Sequence, residues 1–193
     1  MSAVTLWDID ILLWIKANIW CPFLDFLMPL ITYLGEYGAF WIAVAAIMLC
    51  SKKYRKIGIM LGISYIFGIA FGNGVLKNLV ARERPYTHLE YETFQNLTLL
   101  IKTPWDYSFP SGHTLVCFEA SGVLMFTKRK PLGYIALAIG IAVAFSRIYL
   151  LVHYPTDVFG GMILGFVFGI FGYLLGNLLC KAITKKYPNF CEM

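Results

Sequence analysis

Five long apolar runs limit what this 193-residue chain can fold into. They cover approximately residues 37–51, 57–79, 111–127, 131–151 and 156–180. A helix needs about 20 residues to cross a bilayer, so the short first run needs Tyr37 and Trp41 at the membrane interface. Because 59% of the residues are hydrophobic and only 14% are charged, a soluble domain of this length could not bury the apolar surface. We therefore predict an all-α integral membrane protein, a bundle of five transmembrane helices.

Residues 1–36 are predicted to form a separate N-terminal segment. Residues 6–20 mix apolar side chains with two aspartates and a lysine, and a short apolar stretch follows from Pro22. We interpret the segment as two short helices at the external interface, interfacial or re-entrant; the alternative is a sixth transmembrane helix. The remainder is predicted to be a membrane core at 37–180 and a cytoplasmic tail at 181–193. The interfacial anchors of the first segment are predicted to be Trp7, Trp14 and Trp20.

The basic residues predict the orientation of the bundle. They concentrate at 52–56, 128–130 and 181–186, in short connections and a tail. By the positive-inside rule these regions are cytoplasmic, which places 80–110 and 152–155 outside. The net charge of +5 is therefore distributed as in a membrane protein, and nucleic acid is not predicted as a partner.

Three short polar clusters lie at the ends of the apolar runs, all on the predicted external side. They are Lys77-x6-Arg84-Pro85, Pro110-Ser111-Gly112-His113 and Ser146-Arg147-x5-His153-x3-Asp157. Together they supply three cations, two imidazoles, a carboxylate and a turn of small residues. That set of groups fits a site that holds a phosphate while a histidine attacks it.

The third cluster contains the candidate nucleophile. His153 and Asp157 are four residues apart, so they share a face if this stretch begins the last helix. The carboxylate can then accept the proton of one ring nitrogen and leave the other free to attack. Arg147 carries a planar guanidinium that can bind phosphate oxygens in a fork.

The other two clusters are predicted to complete an anion site. At the start of a membrane helix, backbone N–H groups bind anions, and Gly112 permits close approach of a phosphate. The Ser111 hydroxyl can add a hydrogen bond, and His113 can act as a general acid. Lys77 and Arg84 are seven residues apart, about two helical turns, which predicts that they share one helix face.

The remaining polar and small residues are interpreted separately. His88 and Arg82 are interpreted as structural residues. Glu119, an acid within the third run, is either a functional group or one with a structural partner.

The five cysteines show no CxxC pair and no metal-ligand spacing, so neither a disulfide framework nor a metal site is predicted. A stripe of small residues in the last run permits close helix packing and suggests a homodimer. It consists of Gly161, Gly165 and Gly169.

The three clusters resemble the signature of the type 2 phosphatidic acid phosphatase (PAP2) superfamily, which also includes vanadium haloperoxidases. All three motifs are intact and together bracket residues 77–157. The resemblance implies that His153 attacks phosphorus and forms a phosphohistidine, that Asp157 orients it, and that His113 protonates the leaving oxygen. It implies no metal and no other cofactor. The phosphoryl oxygens would be bound by Lys77, Arg84, Arg147, Ser111 and the backbone of Gly112.

The resemblance also implies an activity, the hydrolysis of a lipid phosphate or pyrophosphate. An external site on a short chain is similar to the bacterial members that act on undecaprenyl pyrophosphate, and phosphatidylglycerophosphate and phosphatidic acid are the alternatives. A lipid phosphotransferase and a non-enzymatic lipid-binding or transport protein are the rival hypotheses. The implied partners are the lipid substrate and membrane lipids, in the bacterial cytoplasmic membrane with the active site outside.

Overall fold

Every regular element that the structure describes is helical. The computed structural model describes residues 3–88, 92–95, 98–187 and 190–191, without the side chains of residues 3–5, 92 and 93. The helices are α1 Ala3–Asn18, α2 Pro22–Thr32, α3 Ala39–Cys50, α4 Arg55–Phe67, α5 Lys77–Val80, α6 Glu92–Gln95, α7 Gly112–Phe126, α8 Lys130–Tyr149 and α9 Pro155–Lys186. A π-helical segment covers Gly68–Leu76, and 3₁₀ turns cover Tyr33–Gly38 and Pro85–Thr87.

The prediction of an all-helical membrane bundle is confirmed. Among the described residues, four segments are long and apolar enough to cross a membrane, and α7 is a shorter apolar helix. These four are Pro22–Cys50, Arg55–Thr87, Lys130–Tyr149 and Pro155–Lys186. The first begins well before residue 37, because α2 continues into α3 through a bend. At that bend Tyr37 and Gly38 have φ angles of 48° and 67°. The last helix also extends past residue 180, into the predicted tail.

Helix α7 forms the centre of the bundle. All of its residues from Thr114 to Leu124 are buried, and α8 and α9 pack against it. A Cβ on Gly161 would lie 2.8 Å from the Ser111 carbonyl oxygen, and one on Gly169 would lie 2.6 Å from that of Glu119. The glycine stripe therefore lets α9 approach α7 within one chain. The stripe is therefore covered within the chain, and the predicted homodimer stays a prediction.

Helix α1 packs onto the protein along one face. Ile9 and Leu12 are fully buried against the connection between α8 and α9. Trp7 and Trp14 point outward and are 57% and 59% exposed. Trp20 instead donates its indole N–H to the Tyr149 carbonyl at 3.1 Å. The packing of α1 brings its buried acid, Asp8, close to the start of α9.

Candidate active site

One cavity of about 630 Å³ collects residues from all three polar clusters. The predicted site residues that line it are Lys77, Arg84, Gly112, His113, Arg147 and His153. They come from the end of the second span, the start of α7, the end of α8 and the turn before α9. Ser111 and Asp157 are fully buried and are not among the described lining residues. A cavity of this size fits a small polar group with part of an attached chain.

Lys77 and Arg84 converge without sharing a helix face, so that prediction was wrong. Helix α5 ends at Val80, and Ala81 takes a left-handed conformation with φ 44°. Arg84 then lies in extended backbone. The chain turns back on itself, and both cations reach the same partner, Asp106.

The Asp106 carboxylate lies between the two cations. Lys77 forms an ion pair with it, and Arg84 Nη2 donates to Oδ1 at 2.6 Å. Burial opposes ionisation of this carboxyl, but the hydrogen bonds and charges of Lys77 and Arg84 prevail and lower its pKa. An oxyanion therefore already sits on the cation pair. Sequence reasoning missed Asp106, although it lies only four residues before Pro110.

His153 is held from both sides of its ring. It lies in the turn between α8 and α9 and is 1% exposed. Arg84 Nη1 is 3.2 Å from Nε2, and because arginine only donates, Nε2 carries the lone pair and Nδ1 the proton. Burial, followed by the charges of Arg84, Arg147 and Lys77, lowers the pKa of His153 well below its ordinary value. The imidazole is therefore neutral, and its lone pair is directed at Arg84, a cation of the cavity wall.

Asp157 supports His153 mainly through Ser108. The imidazole Nδ1 is 3.6 Å from Asp157 Oδ2, longer than a hydrogen bond. Ser108 Oγ lies 3.4 Å from Nδ1 and donates to Asp157 Oδ2 at 2.5 Å. The carboxylate is thus near the ring as the four-residue spacing predicted, but without a direct hydrogen bond, because α9 begins only at Pro155. Asp157 is the third residue of that helix and caps it, accepting the Tyr154 N–H at 2.9 Å.

Arg82, which the sequence indicated as structural, binds Asp157 from the other side. Its Nη1 donates to Asp157 Oδ1 at 2.7 Å, and its Nη2 donates to Asp8 Oδ2 at 2.5 Å. Its guanidinium also lies 3.9 Å from the centre of the Tyr154 ring. Asp8 in turn accepts the Thr156 N–H at 3.0 Å. Nothing in the sequence separates Arg82 from an interfacial arginine, since its two acids lie 74 and 75 residues away.

The remaining predicted residues lie across the cavity. His113 Nε2 is 3.0 Å from Glu36 Oε2, a partner supplied by the bend before α3. Arg147 is 1% exposed and donates from Nη1 to Thr32 Oγ1 at 2.7 Å. The Ser111 hydroxyl pairs with Thr114 Oγ1 at 3.0 Å, so it faces away from the cations. Of the Ser111-Gly112-His113 turn, only the last two residues line the cavity.

The chain is similar to known proteins across most of its length. The profile of the PAP2 superfamily matches residues 53–179. An undecaprenyl-diphosphatase of Sulfolobus acidocaldarius is 38% identical over 139 residues, which are 70% of this chain and 64% of that protein. The bacitracin transport permease protein BcrC of Bacillus licheniformis is 31% identical over 148 residues, which are 75% of this chain and 70% of that protein.

A solved structure is similar as well. The crystal structure of a PAP2-type phosphatidylglycerolphosphate phosphatase from Bacillus subtilis superposes with a TM-score of 0.70 at 27% identity. The match covers 95% of this chain and 89% of that one. The similarity therefore extends over the helical bundle and the cavity at its centre.

Proposed function

Because this chain belongs to the PAP2 superfamily, we propose that it is an integral membrane lipid phosphatase that works through a phosphohistidine. The observation that carries this proposal is the convergence of three cations, His113 and a neutral His153 on one cavity. Phosphoryl transfer depends on positioning and on neutralising the charge of the phosphoryl oxygens. The cavity provides both.

The geometry supports a two-step reaction. Lys77, Arg84 and Arg147 bind the phosphoryl oxygens, which replace the Asp106 carboxylate on the cations. The Nε2 lone pair of His153 attacks phosphorus, the bond to the leaving oxygen breaks, and its electron pair goes to that oxygen. His113 donates a proton to the leaving oxygen and then takes one from water. The resulting hydroxide attacks phosphorus, breaks its bond to Nε2 and releases phosphate.

The favoured substrate is undecaprenyl pyrophosphate. The name of the Sulfolobus acidocaldarius relative supports this choice, as does an external active site, which we propose from the basic clusters. The location that follows is the bacterial cytoplasmic membrane. The similarity to the Bacillus subtilis structure supports phosphatidylglycerophosphate as the alternative.

Two rival functions remain to be tested. A lipid phosphotransferase would pass the phosphoryl group of the same phosphohistidine to another lipid. The name of the Bacillus licheniformis relative supports a transport protein, which would need no nucleophile. Release of inorganic phosphate without an added acceptor separates hydrolysis from transfer, and loss of function in a His153 variant separates catalysis from transport.

The first prediction concerns the two histidines. His153→Ala removes the nucleophile, so phosphate release and labelling with ³²P should both disappear. His113→Ala keeps the nucleophile and should slow turnover about 10²- to 10⁴-fold, the usual contribution of a general acid. The measurement is phosphate release in detergent with acid-quenched ³²P labelling, and His88→Ala is the matched control. Wild-type turnover by His153→Ala would refute the proposed function.

A further inference from the structure

The cavity continues beyond the phosphate-binding residues into the apolar part of the bundle. Its wall there is formed by α4, the π-helical segment and α7, with Ile42 from α3. Tyr65 and Glu119 lie in this deeper part together with Gly68. Glu119 is six residues after His113 on α7, which corresponds to about 9 Å along the helix axis.

Two polar atoms in this deeper part lack partners. Tyr65 is 6% exposed and Glu119 is 1% exposed. Within the described ranges, neither Tyr65 Oη nor Glu119 Oε1 has a hydrogen-bond partner. A buried polar atom without a partner costs free energy, most of all in the membrane interior, where water is scarce. Both side chains are therefore placed to meet a polar group that enters the cavity.

The backbone makes room for this arrangement. Glu119 Oε1 lies against Gly68, so closely that a Cβ at that position would overlap it. Gly68 opens the π-helical segment Gly68–Leu76, and π-helical turns occur often at functional sites. Neighbouring side chains of the cavity wall are apolar, among them Ile69 and Val116. The two unpartnered atoms thus form a polar spot on an apolar wall.

The chemistry of this spot excludes a second phosphate as its ligand. Glu119 forms no ion pair within the described part of the chain, and the three site cations belong to the upper part of the cavity. A second phosphate needs cations to neutralise its charge, and the carboxyl group of Glu119 supplies none. A purely hydrocarbon chain would leave both polar atoms unsatisfied. An uncharged oxygen group, attached close to the phosphate, satisfies them.

We propose that Tyr65 and Glu119 form a subsite for an uncharged oxygen group of the lipid, an ester carbonyl or a free hydroxyl, near its phosphate. The inference rests on the proposed function and deepens it, because it assigns residues that discriminate among lipid phosphates. Glycerol-based lipids carry such groups a few bonds from the phosphate. Polyprenyl chains carry none, so this subsite favours the alternative substrate class, a glycerol-based lipid phosphate, over undecaprenyl pyrophosphate. The Tyr65 hydroxyl donates to a carbonyl, and Glu119 accepts from a hydroxyl.

Four lipids distinguish whether the oxygen group that binds is an ester carbonyl or a free hydroxyl. A diacyl glycerol phosphate offers carbonyls, and a monoalkyl glycerol phosphate offers a hydroxyl without a carbonyl. A dialkyl ether analogue and farnesyl phosphate offer neither. Phosphate release from each is compared in the wild type, Tyr65→Phe and Glu119→Leu. Tyr173→Phe, a tyrosine that does not line the cavity, is the matched control.

Tyr65→Phe should lower kcat/KM for the diacyl lipid about tenfold, and Glu119→Leu should do the same for the monoalkyl lipid. Both variants should stay within about twofold of the wild type on the dialkyl ether and on farnesyl phosphate. A loss on either oxygen-bearing lipid supports the proposal and identifies the group. An equal loss on all four lipids, or no loss on any, overturns it.

A binding measurement keeps the two proposals separate. The Kd of each lipid is measured in a His153→Ala background, with and without Tyr65→Phe and Glu119→Leu. If the wild type releases phosphate neither from these four lipids nor from undecaprenyl pyrophosphate, the proposed function fails while these Kd values still decide the subsite. If neither substitution changes the Kd of the oxygen-bearing lipids, the subsite is refuted, even when the wild type hydrolyses them.

Discussion

A single hydroxyl, that of Ser108, connects the His153 imidazole to the Asp157 carboxylate. Ser108 is fully buried, as is Asp157, so no water competes for either bond. The hydroxyl donates to the carboxylate and faces the protonated Nδ1 of the imidazole. This chain of contacts keeps the proton on Nδ1 and the lone pair on Nε2, the atom that we propose attacks phosphorus.

Ser108→Ala should therefore slow formation of the phosphoenzyme. Loss of a buried hydrogen bond predicts a decrease of about tenfold to a hundredfold in kcat. KM should change little, because Ser108 does not line the cavity. Ser108→Thr keeps the hydroxyl and should restore most of the rate. Ser121→Ala serves as the control because the Ser121 hydroxyl donates to the Cys117 carbonyl of its own helix. Rapid-quench labelling measures the rate, and an unchanged rate in Ser108→Ala would contradict this role.

The ionisation of His153 gives a prediction for pH dependence. The ring must be neutral to attack, and its burial beside three cations lowers its pKa well below the ordinary value. Protonation therefore begins only at a lower pH than for a solvated histidine, which is half protonated near pH 6.5. Phosphoenzyme formation should remain fast as the pH falls through 6.5, after correction for ionisation of the substrate phosphate near pH 6. A rate that falls to half of its maximum at pH 6.5 would show that the pKa of His153 is not lowered.

At the scale of elements, helix α1 stabilises the start of α9 through polar contacts. Asp8 is fully buried and binds both Arg82 and the Thr156 N–H, while Arg82 reaches on to Asp157. The first turn of α9 is thus linked to the N-terminal helix by buried polar contacts. The orientation of Asp157, and through Ser108 that of His153, depends on where α1 packs.

Asp8→Asn should loosen this link and lower both stability and turnover. Replacing the charged acceptor of a buried network should cost about 1–3 kcal/mol, seen as a lower unfolding temperature in detergent. Asp10→Asn is the matched control, because Asp10 belongs to the same helix but is exposed. Thermal unfolding and phosphate release are measured together on both variants. Equal behaviour of the two substitutions would show that α1 does not support the site.

At the scale of the whole molecule, the bundle places the cavity mouth and the basic connections at opposite ends. Trp105, which lines the cavity, is 93% exposed, and Cys50 is exposed beside the first basic cluster. The distribution of positive charge predicts that Cys50 faces the cytoplasm. The two positions therefore report on opposite sides of the membrane.

Cysteine labelling tests that orientation. In a Cys21→Ser background, a membrane-impermeant maleimide should label Trp105→Cys in intact cells and leave Cys50 unlabelled. After permeabilisation both should react, while the three other cysteines are buried in the fold. Labelling of Cys50 in intact cells, with Trp105→Cys protected, would reverse the proposed orientation.

The sequence alone determined the membrane bundle, the PAP2 resemblance and the main polar residues of the cavity wall. The number and approximate positions of the spans follow from runs of apolar residues, because insertion of a helix depends on local composition. Motif spacing identified His113, His153 and the three cations, since such spacing is local as well. These predictions needed no knowledge of which helices touch.

Only the tertiary structure decided which groups hold the proposed catalytic residues. Ser108, Asp106, Glu36 and Asp8 are polar residues with no distinguishing neighbours in the sequence, and Arg82 resembles any interfacial arginine. Their roles arise where segments distant along the chain meet, as when α1 reaches the start of α9. The glycine stripe likewise indicates close packing, but only the fold shows that α7 is its partner. The local sequence pattern determines whether a segment forms a membrane helix. The packing of the helices determines which residues that segment contacts.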